Sequence, residues 1–108
     1  MSKNVFQAIA DPTRREIIGL LSNQSCNLNE LVSNFSMTRP AVAKHVRILS
    51  DCGLVMVEKR GRERYCHARL GGLGEVALWI HQYRRFWNDN LDRLEDILKE
   101  NDDLNKKQ

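Results

Sequence analysis

Thr38-Arg39-Pro40-Ala41-Val42-Ala43-Lys44-His45-Val46-Arg47-Ile48-Leu49-Ser50-Asp51-Cys52-Gly53 is the stretch on which the reading of this chain turns. It reads as one helix with a marked start and stop. The Thr38 hydroxyl can accept from the N–H groups of the first turn, and Pro40 falls there, where a missing N–H is no loss. Gly53 supplies the left-handed residue that ends a helix, and Leu54 is the apolar residue that often follows it. Val42, Val46 and Leu49 stand at i, i+4 and i+7 and make one buried stripe. Arg39, Lys44, His45 and Arg47 lie off that stripe, with no acid before Asp51. With Pro40 and Ala41 keeping the first turn small, such a helix suits insertion into a DNA groove. The same pattern also fits a solvated surface helix, so the flanking segments decide.

Upstream, Asn27 with Glu30 three residues on is close to a capping box. It opens a short helix whose Leu28, Leu31, Val32 and Phe35 point inward, and Ser36-Met37 makes the turn. A short bracing helix, a turn and a basic helix form the helix-turn-helix arrangement. Farther back, Val5, Phe6 and Ile9 predict a short amphipathic helix. Asp11-Pro12 restarts the chain as cap and first helical residue, and Ile17, Ile18, Leu20 and Leu21 give the next helix a broad apolar face. Ser22 to Ser25 is a polar connection.

Downstream, Leu54-Val55-Met56-Val57 favours a strand, Arg60-Gly61-Arg62 a turn, and Tyr65 to Leu70 a returning strand. Lys59, Arg60, Arg62 and Arg64 surround the tip, diluted by Glu58 and Glu63. Basic side chains at such a tip can meet phosphates or enter the minor groove. An ordinary solvated hairpin is the alternative, and its place directly after a helix-turn-helix favours DNA. Gly71-Gly72-Leu73-Gly74 reads as a flexible joint, without the pattern of a phosphate-binding loop. From Glu75 a helix is predicted to about residue 100, with Val76, Trp79, Ile80, Tyr83, Phe86, Trp87, Leu91, Leu94, Ile97 and Leu98 in steps of 3 and 4. An aromatic stripe this long implies a partner surface, for which a two-fold homodimer is the common solution. Packing wholly onto its own domain is the other.

The totals agree. A chain of 108 residues suits one domain, and 42% hydrophobic with 29% charged residues is globular rather than disordered. No apolar run could span a membrane and the first residues open no signal peptide, so a cytoplasmic protein is expected. The net charge is only +3, but residues 1–75 hold eleven Lys/Arg against seven Asp/Glu, and residues 76–108 hold six against seven. The basic surplus therefore sits with the helix-turn-helix and hairpin. Cys26, Cys52 and Cys66 are odd in number and widely spaced, so no disulfide framework is expected. No nucleophile–base pair, metal motif or Gly-rich cofactor loop appears. The chain therefore reads as neither an enzyme nor a cofactor binder.

These runs together resemble the ArsR-type winged-helix repressors, over about residues 4–98. The phrase from Phe6 to Ile17 is similar to that family's opening helices, and Arg39 to Leu49 to its recognition helix. Asp51-Cys52-Gly53-Leu54-Val55 resembles the exit into the wing, Gly61-Arg62-Glu63-Arg64-Tyr65 the wing, and Tyr83-Arg84-Arg85-Phe86-Trp87 with Leu91 and Leu94 the terminal helix of one branch. The resemblance implies a mainly α, winged helix-turn-helix fold of order α-α-α-α-β-β-α. It would be a single domain over 1–108, with the helix-turn-helix at about 27–53, the wing at about 54–70 and a dimerisation helix at about 75–100. It further implies that first and last helices pair across a homodimer, through Val5, Phe6, Ile9, Trp79, Tyr83, Phe86, Trp87, Leu91 and Leu94. Two recognition helices would then read an inverted-repeat operator in double-stranded DNA, about 34–36 Å apart.

Metal-sensing members carry a Cys-x-Cys before the recognition helix, or paired His and carboxylates on the last one. Leu28 to Asn34 has no such pair, His81 stands alone, and Cys66-His67 are neighbours that point to opposite faces of a strand. A zinc site needs more ligands than these, so no metal is expected. The candidate DNA contacts are Thr38, Arg39, Ala41, Lys44, His45 and Arg47 on the helix and Arg60 and Arg62 on the wing. His45 is equally placed to be a structural histidine at the helix–hairpin seam. The alternative function is a thiol-redox-responsive or metal-responsive sensor repressor using Cys26 and Cys66. A small-molecule inducer is left open, with no residue indicating one.

Overall fold

The structure, a computed structural model, describes residues 4–106, apart from the side chains of Trp87 and of residues 103–106. Among these residues the order is α1 (Val5–Ala10), α2 (Pro12–Asn23), β1 (Cys26–Asn27), α3 (Leu28–Val32), α4 (Arg39–Asp51), β2 (Val55–Arg60), β3 (Glu63–Ala68), α5 (Gly74–Gln82) and α6 (Arg84–Lys106), with a short 3-10 turn at Leu70–Leu73. Two compact units result, one ending at Val76 and the other beginning at Ala77.

In the first unit the caps foretold by the sequence are made. Asp11 accepts from the Arg14 N–H at 3.1 Å, Asn27 from Glu30 at 2.8 Å and Thr38 from Ala41 at 3.3 Å. Each satisfies a donor that the first helical turn leaves without an intrahelical partner. Helix α4 ends at Gly53, whose φ of 76° lies in the left-handed region. The Leu54 N–H then reaches the Leu49 carbonyl at 2.9 Å and the Gly53 N–H the Ser50 carbonyl at 3.0 Å, the paired bonds of a Schellman motif. The core is sealed by Ile17, Leu31, Val42, Leu49, Leu54, Val55 and Cys66, all essentially inaccessible. The i, i+4, i+7 stripe of α4 is buried as its spacing requires, and Phe35, beyond the end of α3, still packs on the core.

Three features differ from expectation. The polar connection ends in a third strand: β1 pairs antiparallel with β3, opposite β2, with Cys26 facing Cys66 and Asn27 facing Tyr65. Two residues are too short to carry a period-2 signal, so only pairing reveals them. The glycine-rich joint is a packed turn. A Cβ on Gly72 would stand 2.8 Å from the Gly53 carbonyl oxygen and 2.9 Å from Leu54 Cδ2, so glycine is required by close approach rather than by flexibility.

The long terminal helix is two helices separated at Tyr83. The Tyr83 N–H bonds to the Ile80 carbonyl at 3.1 Å, one residue short of α-helical reach, and this tightens the backbone there. The Trp79 and Tyr83 rings lie 5.5 Å apart across the break. From Ala77 to Asp102 every described side chain is exposed. Among the described residues no helix is long and apolar enough to cross a membrane.

Candidate nucleic-acid interface

Helix α4 offers its solvent side as the sequence suggests. Thr38, Arg39, Lys44 and Arg47 are exposed, and Ala41 and His45 are half-buried. No acid lies along it before Asp51, so this face carries positive charge alone.

His45 is committed on one side. Its Nδ1 stands 3.2 Å from Arg14 Nη1. A guanidinium can only donate, so Nδ1 accepts and Nε2 carries the ring proton. The seam it joins is therefore with α1 and α2, not with the hairpin. Arg14 also donates from Nε to the Ala8 carbonyl at 2.6 Å and from Nη2 to the Gln7 carbonyl at 3.1 Å. Arg15 donates to the Ile9 and Ala10 carbonyls at 2.8 and 3.0 Å. Both arginines cap the C-terminal carbonyls of α1, where cations are favoured. Asp11 lies 3.9 Å from Arg14. Burial would raise its carboxyl, but the Arg14 N–H, the neighbouring His45 ring and the Arg14 guanidinium together outweigh burial and hold it below its ordinary range.

The hairpin sorts its side chains by register. Val55 pairs with Ala68, Val57 with Cys66 and Lys59 with Arg64; Met56 pairs with His67, Glu58 with Tyr65 and Arg60 with Glu63. Directly opposed residues of an antiparallel pair share a face. One face thus carries Val57, Cys66, Lys59 and Arg64. The other holds a closed polar cluster. Arg60 donates to Glu58 at 3.1 and 3.2 Å and lies 4.3 Å over the Tyr65 ring. His67 Nε2 meets Glu58 at 3.1 Å, and its Nδ1 meets Ser25 Oγ at 2.9 Å. The cluster straps the segment before β1 to both wing strands. Hydrogen bonds from Arg60 and then His67 hold the Glu58 carboxyl below its usual value. Arg60, a candidate wing contact, is thus already engaged by Glu58, whereas Arg62 stands exposed at the tip beside Gly61. Gly61 has φ 61° and no described non-glycine residue has a positive φ, which fits a type II′ turn.

Burial, and then the neighbouring Cys26, push the Cys66 thiol up to about 11. Burial, and then Glu30, also raise Cys26. Little thiolate is present at neutral pH in such a pair, which argues against the redox alternative. Among the described residues, no group of three or more His, Cys, Asp or Glu side chains is placed to hold a metal ion.

Of the expected interface residues, Val5 is buried in its own unit's core, while Phe6 and Ile9 are half-buried. Trp79, Tyr83, Phe86, Leu91 and Leu94 are 45–62% exposed. The Trp87 side chain lies outside the described residues. Lys59 and Arg64 belong to the basic tip named from the sequence but not to the candidate contacts, which took only Arg60 and Arg62 from the wing. The signal for Lys59 and Arg64 was available in strand alternation, once a register is fixed.

Residues 11–57 match the sequence family described as "Bacterial regulatory protein, arsR family". The chain is 32% identical to the transcriptional repressor SdpR of Bacillus subtilis over 77 residues, covering 71% of this chain and 86% of that protein. The crystal structure of the ArsR family transcriptional regulator RHA00566 is similar with a TM-score of 0.70 and 36% identity, over 77% of this chain and 86% of that one. A solution structure of a homodimeric winged helix-turn-helix DNA-binding domain from Mycobacterium bovis shares the fold with a TM-score of 0.58 and 23% identity, over 71% of this chain and 77% of that one.

Proposed function

Since this chain belongs to the ArsR family and is a transcriptional regulator with a DNA-binding winged helix-turn-helix rather than an enzyme, we propose that it is a homodimeric repressor that reads an inverted-repeat operator. The observation that carries this reading is the solvent face of α4. A helix capped by Thr38 presents exposed Arg39, Lys44 and Arg47 with no acid among them, next to a basic hairpin. The repressor role follows the relative SdpR, and the homodimer follows the Mycobacterium bovis domain. The exposed apolar residues of α5 and α6 are the surface a second copy would cover.

In this reading α4 enters the major groove by its N-terminal turn. Arg39 can pair with both acceptors of a guanine, and the Ala41 methyl can meet a thymine methyl. The Thr38 hydroxyl, which already caps the helix, can donate to a phosphate. Lys44 and Arg47, farther along, meet the backbone. His45 keeps Nε2–H as its one remaining donor, while Nδ1 is held by Arg14. Arg62 at the tip reaches the neighbouring minor groove or its phosphates.

Selection of bound duplexes from a random DNA pool tests the reading directly. A two-fold symmetric consensus is expected. With that duplex, Arg39→Ala relaxes base preference at one position of each half-site. Arg62→Ala weakens selected and scrambled duplexes alike and flattens the salt dependence by about one unit. Two variants that bind like wild type across a salt titration would remove these assignments.

A further inference from the structure

Four cations converge on one feature of the first unit. An open cleft of about 710 Å³ lies between α4 and the hairpin. Lys44 and Arg47 of α4 line one side, Lys59 and Arg64 of the strands line the other, and Val57 and Cys66 lie between them. Helical period on one side and strand register on the other produce this. Lys44 and Arg47 are three apart on a helix and share a face. Lys59 faces Arg64 across the ladder, as Val57 faces Cys66 one pleat nearer the core.

Among the described residues, no acidic side chain lines the cleft. Glu58 and Glu63 alternate onto the opposite face of the hairpin, where Glu58 is bonded to Arg60 and His67. All four cleft cations are exposed, and among the described residues none has a carboxylate in ion-pair range. Like charges set directly opposite on a ladder destabilise it. The Lys59–Arg64 pair is therefore a cost to the free protein that a bound anion removes.

We infer that one phosphodiester strand of DNA runs through this cleft, its successive phosphates held by Lys44, Arg47, Lys59 and Arg64. The inference rests on the DNA reading above and deepens it. A strand separates each major groove from the adjacent minor groove. It must pass between a helix seated in the one and a hairpin tip reaching toward the other. The cleft is open, so a continuous chain can traverse it, and among the described residues its positive charge meets no carboxylate. The hairpin thus engages DNA by its Lys59–Arg64 face. Arg60, on the other face, braces the hairpin instead.

The test uses a duplex selected from the random pool by the wild-type protein, with affinity measured by fluorescence anisotropy across a salt series. The double variant Lys59→Ala/Arg64→Ala should flatten the slope of log affinity against log salt by about two units per bound protomer, since each neutralised phosphate contributes about 0.9. The ratio of affinities for selected and scrambled duplex should stay unchanged, because phosphate contacts carry no sequence information. Arg60→Ala should leave the slope as in wild type. The double variant's thermal midpoint should equal or exceed wild type, which separates lost contact from lost fold. A double variant with the wild-type slope, or an Arg60→Ala slope equally flattened, overturns the cleft and leaves the DNA reading standing. A wild-type protein that enriches no duplex and shows no salt-dependent binding overturns both.

Discussion

Arg14 donates to the Ala8 and Gln7 carbonyls and to the His45 ring, so one guanidinium joins α1, α2 and α4. In the sequence it counts only toward a basic surplus. Its geometry makes it a structural residue beneath the candidate interface. Arg14→Ala should lower stability by about 2 kcal/mol, because the α1 carbonyls lose charge-assisted bonds. Arg14→Lys should recover little of this, since an ammonium cannot reproduce the planar fork. Urea denaturation measures both. A wild-type midpoint for Arg14→Ala would mean that water serves those carbonyls equally well. Asp11 was legible as a cap because the Asp-Pro signal is local. The Arg14–His45 bond was not, because it joins residues distant in sequence.

At the scale of elements, two local constraints can be tested separately. Gly72 lies against the Gly53 carbonyl and Leu54, so the 3-10 turn at Leu70–Leu73 can approach the end of α4 only without a side chain. Gly72→Ala should cost about 1–3 kcal/mol through overpacking, read as a lower thermal midpoint. An unchanged midpoint would show that the turn can shift away at no cost.

The polar cluster on the hairpin makes a pH prediction. The folded Glu58 carboxyl titrates below its ordinary 4.5. As pH falls, the unfolded chain takes up this proton first, which favours unfolding. The stability that Glu58 contributes is therefore complete above about pH 5 and is lost as pH falls through the folded value. Glu58→Gln should lose stability at neutral pH and show a shallower decline of midpoint in acid. Parallel acid profiles for the two proteins would contradict this. The hairpin itself was readable from β-branched residues and Arg60-Gly61-Arg62. Which face each cation takes was not, because a one-residue change of register exchanges every side chain between faces.

At the scale of the whole molecule, the exposed apolar residues of the terminal helices set the assembly prediction. Leu91 and Leu94 are about half exposed within the chain, so charging them should cost the protomer little. Leu91→Glu/Leu94→Glu should convert the proposed dimer to monomer in sedimentation analysis. Operator affinity should then fall by about 100-fold or more, as two linked half-site contacts become one. A variant that remains dimeric would locate the interface elsewhere. The charge asymmetry between the first 75 residues and the remainder was already plain in the sequence. It separates a basic body, which the proposed reading gives to DNA, from an apolar tail, which that reading gives to a second copy.

The sequence by itself determined the helices of the first unit, their starts and stops, the hairpin and its turn. These depend on caps, glycines and periodicities within a few residues, so the chain states them locally. It also determined the family, through runs such as Asp11 to Ile17 and Arg39 to Leu49. Only the tertiary structure decided that β1 adds to the sheet, that Tyr83 divides the terminal helix and that Gly72 is a packing site. It alone sorted the cations into braces (Arg14, Arg15 and Arg60) and free charges (Lys44, Arg47, Lys59 and Arg64). The reason is physical. A cation's role depends on which acceptor folding brings within about 3 Å of it, and those acceptors are contributed by other elements or by the register of the ladder.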